Sequence, residues 1–301
     1  MTQPELLDCV VVGAGAAGLT SAIYLARFRR RIAVLDSGAS RLLAIPTSHN
    51  YPGFAGGIHG SDILQRLRAQ AAHYGAAPVT GVVERIVRLD DGSFLLAAGR
   101  PQWHARTVIL ATGVVDVEPG LPDVKRAVAH GCVRYCPICD GYEAIDRKVA
   151  VLGRGKSGLA EALFLNHFTR DVSLFALRGA LRLTDEERVR LAHSTVRAVP
   201  HGVTGLDFDE RGAMTLWLDN GRLERFDVVY AALGTLVNSG LAQTLGARCT
   251  GDGELLVDDH QQTTVDGLYA AGDIVAGLNQ ITVAMGHAAI AATAVHNRLR
   301  G

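Results

Sequence analysis

The sequence has no excess charge of either sign, no long apolar run and no basic segment at its start. Its 30 basic and 30 acidic residues are interleaved along 301 positions, which argues against nucleic acid or an anionic membrane as a partner. Its apolar stretches are too short to span a bilayer. Since the opening residues MTQPELLDCVVVGAG also lack the basic region of a signal peptide, we expect a cytoplasmic protein.

Cysteine and proline are scarce as well, with 5 and 9 residues, whereas glycine reaches 34. Five cysteines is an odd count. In a reducing compartment, the close pair Cys136 and Cys139 indicates metal or redox chemistry rather than a disulfide framework. The 48% apolar and 20% charged residues describe a globular protein with a core, in a chain long enough for two domains.

Two segments repeat one order of elements: a short buried strand, a glycine-rich turn, a helix and a second strand. The first covers residues 8–36 and begins DCVVVGAGAAG, and the second begins KVAVLGRGKSG at Lys148. This order is typical of dinucleotide-binding βαβ units. The repeat predicts an α/β fold with two Rossmann-like dinucleotide-binding domains.

Two further strand-to-turn segments, TVILATG and LYAAGD, lie far apart at 107–113 and 268–273. We therefore expect the second domain to be inserted in the first. Residues 1–116 and 246–301 would form the first domain, and residues 117–245 the inserted one. The proline and glycine of DVEPGLPD mark the first crossing between them.

In the first motif, Gly13, Gly15 and Gly18 allow a tight turn, close approach of the backbone to a pyrophosphate, and close packing of helix on strand. The helix N-terminus then presents its partial positive charge to the phosphates. Asp36 ends the second strand, where a carboxylate suits a ribose 2′-hydroxyl and repels a 2′-phosphate. The pattern predicts FAD or NAD at this site, not NADP.

The second motif repeats the glycines as Gly153, Gly155 and Gly158, but no acid ends its second strand. Its basic residues are Lys156, Arg178 and Arg182. Arginine favours a 2′-phosphate over a free hydroxyl, so this site is predicted to take NADP with an incomplete set of charges. The alternative is a motif that keeps the fold but binds the nucleotide poorly or not at all.

Three cysteines, Cys132, Cys136 and Cys139, follow the spacing C-x3-C-x2-C. Iron–sulfur sites share that spacing, but not this place between two dinucleotide folds, and zinc normally needs four ligands where no second pair is near. We favour a redox dithiol of Cys136 and Cys139 and no metal. Asp140 follows directly and can supply the proton that thiol–disulfide exchange requires, whereas Cys132 is predicted to be structural.

One dinucleotide fold inserted in another, with C-x-x-C-D early in the inserted one, resembles the low-molecular-weight thioredoxin reductase family nearly end to end. The motifs that carry the resemblance are VVGAGAAGLTSAIYLAR, NYPGF, ATG, CPICDG, EALFL and AAGD. The resemblance implies FAD on the first domain, with contacts beyond the glycines from Asp36, Asn50, Thr112, Gly272, Asp273 and Gln280. In the second motif it adds Ser157 to the NADP contacts. Cys139 would face the flavin, Cys136 would attack the outgoing disulfide, and the domains would rotate between two poses.

The chain departs from the family pattern around both nucleotides. SRLLAIPTSHN stands where the family has G-G-Q, ALRGALR keeps only two arginines of the H-R-R-x-x-x-R clamp, and Asn279-Gln280-Ile281 replaces R-Q-A. These departures leave the electron donor open. NADPH is slightly favoured over NADH, ferredoxin or a second flavin.

The resemblance thus implies a homodimeric flavoprotein oxidoreductase that reduces the disulfide of thioredoxin, a thioredoxin-like protein or a small disulfide molecule. Two other functions stay open. A dithiol oxidase would close a disulfide in a small dithiol and pass the electrons to oxygen. A non-catalytic FAD-binding redox sensor would keep the glycine motifs but would not need Asp140.

Overall fold

A computed structural model describes residues 5–100, 102–153 and 155–300, without the side chain of Lys156. The chain divides into two compact units. The first takes the described residues of 1–45, 58–115 and 236–301, and the second takes those of 46–57 and 116–235.

Strands and helices alternate along most of the chain. The strands are β1 (Leu6–Val12), β2 (Ile32–Asp36), β3 (Val79–Thr80), β4 (Arg85–Arg88), β5 (Phe94–Ala97), β6 (Gln102–Leu110), β7 (Val114–Asp116), β8 (Val133–Arg134), β9 (Val149–Gly153), β10 (Val172–Phe175), β11 (Arg197–Ala198), β12 (Val203–Phe208), β13 (Met214–Leu218), β14 (Leu223–Phe226), β15 (Val228–Ala232), β16 (Thr235–Val237) and β17 (Leu268–Ala270). The helices are α1 (Ala16–Arg27), α2 (Gly60–His73), α3 (Val124–Ala129), α4 (Pro137–Asp140), α5 (Gly155–Leu165), α6 (Asp185–Ala192), α7 (Gly240–Gln243) and α8 (Ile281–Arg298).

The first unit is built on one sheet with the strand order β3-β2-β1-β6-β5-β4, and β17 pairs with β6 as well. β3, β2, β1, β6 and β17 are parallel, whereas β5 and β4 continue the sheet antiparallel. β6 belongs to both the parallel and the antiparallel part of the sheet. β5 pairs along its first half and β17 pairs along its second half. Parallel strands are usually covered on both faces, which explains the apolar run CVVV in the second half of β1.

Helices α1 and α8 pack against each other over this sheet. The face of α8 that is buried consists of small residues, Ala284, Ala288, Ala291, Ala292 and Val295. Small side chains allow two helices to approach closely, so α1 is held tightly where it leaves the first glycine motif.

The second unit contains a parallel sheet with the order β11-β10-β9-β15-β8 and a separate antiparallel sheet, β12-β13-β14. Every residue of β9, β10 and β15 is buried. β15 lies between β9 and β8, and its Tyr230 is aligned with Arg134 of β8. The second unit therefore repeats the parallel architecture predicted for a dinucleotide-binding fold.

The α/β class with two dinucleotide-binding folds is confirmed. The boundaries differ from the predicted ones in three places. The first crossing lies at 115/116 rather than 116/117. The chain returns to the first unit at 235/236 rather than 245/246, because Leu241, Ala242 and Leu245 pack into the first unit's core. Residues 46–57 group with the second unit, which the sequence motifs did not indicate.

No helix in the described ranges combines the length and the apolar character that a membrane crossing requires. Within those same ranges, no three histidine, cysteine, aspartate or glutamate side chains gather as a metal site would need.

Candidate active site

Cys136 and Cys139 form a disulfide at the start of the short helix α4. Their Cα atoms are 5.3 Å apart, and the Cys139 amide donates to the Cys136 carbonyl at 3.0 Å. Pro137 occupies the first turn of the helix, where its fixed φ is compatible with helix and its missing N–H costs nothing. One helical turn thus holds both sulfur atoms at bonding distance.

Asp140, the last residue of α4, is held by two side chains from neighbouring strands. The Tyr230 hydroxyl lies 2.8 Å from Asp140 Oδ1 and 3.1 Å from the Asp140 carbonyl oxygen. Arg134 donates from Nη1 to the same carbonyl at 3.1 Å, and its Nε lies 3.7 Å from Oδ2. The carboxyl and the backbone of Asp140 are therefore both fixed beside the disulfide.

Burial raises the pKa of Asp140, since its side chain is only 23% exposed and the charged form loses water. The Arg134 guanidinium and the Tyr230 hydrogen bond partly oppose this effect, and so does His49, whereas Glu143 adds to it. Burial, followed by the neighbouring Asp140 carboxylate, likewise raises the pKa of Tyr230, so its hydroxyl keeps its proton. Asp140 retains its own proton to a higher pH than an ordinary aspartate.

Sequence reasoning identified Asp140 but missed Arg134 and Tyr230. Arg134 stands two residues before Cys136, which could have marked it as a neighbour. Tyr230 lies in the apolar run VVYAA, far along the chain, and gives no local signal. Only the pairing of β15 with β8 brings the two residues together.

The glycines of the first motif lie at the carboxyl end of β1. Gly13 has φ +102°, and a Cβ there would lie 2.3 Å from the Ala111 carbonyl oxygen. A Cβ on Gly18 would lie 1.8 Å from the Gly13 oxygen, so helix and turn are in direct contact. A Cβ on Gly15 would meet only Ser40 Oγ, at 3.5 Å. The space at Gly15 is thus open, as a pyrophosphate cradle requires.

Asp36 ends β2 with a largely buried carboxylate. It accepts from the Ala14 amide at 3.4 Å and from Arg68 at 2.8 Å. Among the described residues, Ser40 Oγ and Arg68 Nε are buried with no hydrogen-bond partner. Unpartnered buried polar atoms around a glycine turn fit a dinucleotide with phosphates and free ribose hydroxyls. The residues present therefore suit FAD.

Thr112 and Asp273 follow β6 and β17, neighbouring strands whose carboxyl ends share an edge with that of β1. The Thr112 hydroxyl donates to the Asn238 carbonyl at 2.8 Å, and the Asn238 amide returns a bond at 2.9 Å. Asp273 pairs with Arg41 at 2.9 Å. Gly272 has φ +83°, and a Cβ there would lie 2.9 Å from the Cβ of Ala17. The first unit thus brings these predicted residues to one edge of its sheet.

Gln280 precedes α8 as its N-cap residue, in the same unit. Asn50 is the exception among the residues predicted to contact FAD. It belongs to segment 46–57, which groups with the second unit, and its amide donates to the Ile138 carbonyl at 3.5 Å. In this structure Asn50 is therefore a neighbour of the disulfide helix.

The second glycine motif keeps the close helix–strand approach of a dinucleotide fold. A Cβ on Gly153 would lie 2.4 Å from Gly158 Cα, and Gly155 has φ +48° with open space around it. Arg178, however, adopts φ +60° and directs its guanidinium to the Gly120 carbonyl at 3.4 Å.

Two other predicted NADP contacts lie at the surface of the second unit. Ser157 and Arg182 are exposed, at the start of α5 and before α6 respectively. The side chain of Lys156 lies outside the described residues. The fold of a nucleotide site is thus present, and its positive charge comes from residues at the surface.

A family model, relatives in sequence and solved structures all relate this chain to the same family of proteins. Residues 7–288 match the model of the pyridine nucleotide-disulphide oxidoreductases. The thioredoxin reductase of Treponema pallidum is 31% identical over 95% of each chain, and that of Bacillus subtilis is 30% identical over 99% of this chain and 96% of its own. The solved thioredoxin reductase of Streptococcus pyogenes superposes with a TM-score of 0.88 at 27% identity, covering 98% of both chains.

Proposed function

The chain belongs to the low-molecular-weight thioredoxin reductase family and is an oxidoreductase, and we propose that its Cys136–Cys139 pair passes electrons to the disulfide of thioredoxin or a thioredoxin-like protein. Enzymes of this family use FAD and NADPH. Several relatives are named thioredoxin reductases, which supports thioredoxin as the acceptor of this chain.

The observation that carries the proposal is a disulfide on one helical turn beside a largely buried acid. Ile138, between the two cysteines, is 50% exposed, and Tyr142, just after the helix, is 73% exposed. A partner protein can therefore approach this turn. Exposed apolar side chains around a reactive pair suit contact with another protein surface.

The exchange needs both sulfur atoms and one acid. When bound and reduced by the electron donor, the flavin would supply the two electrons that reduce the pair. The Cys136 thiolate then attacks the partner disulfide, forms a mixed disulfide and releases one partner thiolate. Cys139 attacks Cys136, which restores the internal disulfide and releases the second thiolate. Asp140 gives its proton to a leaving thiolate and recovers one from solvent.

Two cysteine variants test this function. Cys136→Ser and Cys139→Ser should each abolish reduction of a bacterial thioredoxin, because neither can complete a disulfide cycle. The measurement is reduction of thioredoxin by the flavin-loaded protein with a chemical reductant as electron source, so that the donor does not enter the result.

Cys249→Ser, in the first unit, is the matched control and should behave as the unchanged protein. Full turnover by Cys136→Ser would refute the reductase and favour a redox sensor. Hydrogen peroxide release with small dithiols, without thioredoxin reduction, would favour a dithiol oxidase instead.

We further propose NADPH as the electron donor, a homodimeric assembly and a cytoplasmic location. The surface arginines Arg178 and Arg182 support NADPH, since arginine suits a 2′-phosphate. Family membership supports the homodimer and the location.

A further inference from the structure

We propose that Arg134 and Tyr230 are positioning residues for disulfide exchange: they hold the Asp140 carboxyl so that its proton reaches the leaving thiolate. This inference rests on the proposed function and concerns how the acid is set in place. Neither residue belongs to a motif that marks the dithiol in the sequence.

The clamp formed by Arg134 and Tyr230 is fixed by the sheet. Tyr230 is fully buried in β15 and is aligned with Arg134 of β8. Arg134 Nη1 lies 3.4 Å from the Tyr230 hydroxyl, and Arg134 Nε donates to the Gly131 carbonyl at 3.1 Å. Because each side chain is held by others, the position of both donor groups is set before any substrate arrives.

Both clamp residues reach two parts of Asp140. The Tyr230 hydroxyl contacts Oδ1 and the carbonyl oxygen, whereas Arg134 contacts the carbonyl oxygen and lies near Oδ2. Holding the carbonyl fixes the end of α4, and holding the carboxyl fixes its rotation. The acid thus keeps one orientation relative to the helical turn that carries the disulfide.

The charges around Asp140 suit an acid that must give up its proton and then remain ionised briefly. The groups that face it are Arg134, Tyr230, Glu143 and His49. When the leaving thiolate takes the proton, a thiol and the Asp140 carboxylate remain. The Tyr230 O–H and the Arg134 guanidinium then stabilise this carboxylate by a hydrogen bond and by charge.

The test compares two disulfides whose leaving groups differ in their need for a proton. An alkyl disulfide such as hydroxyethyl disulfide releases a basic thiolate, whereas an aryl disulfide such as dithiobis-nitrobenzoate releases a stable one. With the pre-reduced, flavin-loaded protein, Tyr230→Phe should slow alkyl exchange by about tenfold and leave aryl exchange near its original rate. Arg134→Met should act in the same direction.

A double-mutant cycle shows whether the effect passes through Asp140. In the Asp140→Asn background, Tyr230→Phe should cause no further loss of alkyl exchange. Tyr269→Phe, which alters a buried tyrosine of the first unit, is the control and should leave both rates unchanged. The Tyr230→Phe loss should also show as a displaced pH profile, because removing a donor to the carboxylate raises the pKa of Asp140.

The outcomes separate this inference from the function it rests on. Equal slowing of alkyl and aryl exchange would indicate general damage near the dithiol and would overturn the positioning role. Unchanged alkyl exchange would overturn it as well. If Cys136→Ser retains full exchange with both disulfides, the proposed reductase itself fails, whatever the tyrosine variant does.

Discussion

At the scale of single residues, the glycines of the first motif have different neighbours, so each position needs glycine for a different structural reason. A Cβ on Gly18 would lie 1.8 Å from a backbone oxygen, whereas one on Gly15 would make an ordinary contact at 3.5 Å with a side chain. Gly18 is required by the packing of α1 on its strand. Gly15 leaves open space in front of it, as the predicted pyrophosphate of FAD would need.

Alanine substitutions should separate these two reasons. Gly18→Ala should destabilise the protein by about 1–3 kcal/mol, because backbone must move to admit the methyl group. Gly15→Ala should keep the stability of the flavin-free protein but lose bound flavin. The measurements are thermal unfolding without flavin and the flavin retained after purification. Equal loss of stability in both variants would contradict this division.

The candidate residues that the sequence indicates are those whose predicted role depends on local spacing. The glycines, the cysteine pair and Asp140 all lie within short motifs, and the structure places each at the end of a strand or on one helical turn. Arg134, Tyr230 and Arg68 were not predicted. Arg68 reaches Asp36 from α2, and Tyr230 reaches Asp140 from β15, so each depends on tertiary contacts that no local pattern encodes.

At the scale of elements, α5 carries an acid in an unusual setting. Burial raises the pKa of Glu161 to about 7, and the charge of Asp116 adds to the effect. Among the described residues, Glu161 Oε2 is buried with no hydrogen-bond partner. The ionised form of this side chain therefore opposes folding of the second unit.

Glu161→Gln should stabilise the protein in a pH-dependent manner. The folded-state pKa lies above the ordinary 4.5. The native glutamate therefore contributes its full stabilisation of the folded state below about pH 4.5, and this stabilisation is lost as the pH rises through about 7. Above that pH range, the free energy of unfolding of the variant should exceed that of the original protein by on the order of 2 kcal/mol. In acid the two free energies of unfolding should converge. Urea unfolding at one pH below 4.5 and one above 7 measures this difference.

Glu186→Gln, which changes an exposed carboxylate on α6, is the matched control for that measurement. It should shift the urea midpoint by the same small amount at both pH values. A Glu161→Gln advantage of equal size in acid and in base would contradict the assignment to ionisation.

The prediction of elements succeeded where the pattern was periodic or bounded by glycine. The helices expected after both glycine motifs are present as α1 and α5, and the helical tail is present as α8. The antiparallel sheet β12-β13-β14 was not anticipated. Its strands lie in a region without glycine-motif landmarks, and short apolar runs alone do not reveal how strands pair.

At the scale of the whole molecule, the charges of the second unit bear on which donor supplies the electrons. The second unit keeps the fold of a nucleotide site, yet Arg178 already contacts a carbonyl oxygen and no acid ends β10. An arginine that is shared with the protein backbone gives up part of its charge complementarity to a phosphate. The preference for a donor therefore depends on the charged side chains around the second motif rather than on the fold.

Rapid mixing of the flavin-loaded protein with excess NADPH should bleach the flavin within seconds, and NADH should act more slowly. The physical reason is that Arg178 and Arg182 favour a 2′-phosphate. Replacing both arginines by glutamine should remove the preference for NADPH without changing reduction by dithionite. Slow bleaching by NADPH together with rapid reduction by ferredoxin would refute this donor.

Domain boundaries were predicted less well than the folds they separate. The motifs located both dinucleotide folds, but the return crossing was placed too late because α7 carries no motif. Its Ala242 and the nearby Leu241 and Leu245 join the core of the first unit. Apolar residues of a short helix show that they are buried, but not which core receives them.

Because Tyr230 is aligned with Arg134, the proposed positioning of Asp140 depends on the register between β15 and β8. β8 is a two-residue strand at the edge of its sheet, where pairing is most easily altered. A slip of one residue against β15 would turn its side chains to the opposite face and remove Arg134 from the hydroxyl. The rate of alkyl disulfide exchange would then report whether refolded protein has the native register of β8. It would distinguish native protein from a preparation of equal helix content whose edge strand had shifted.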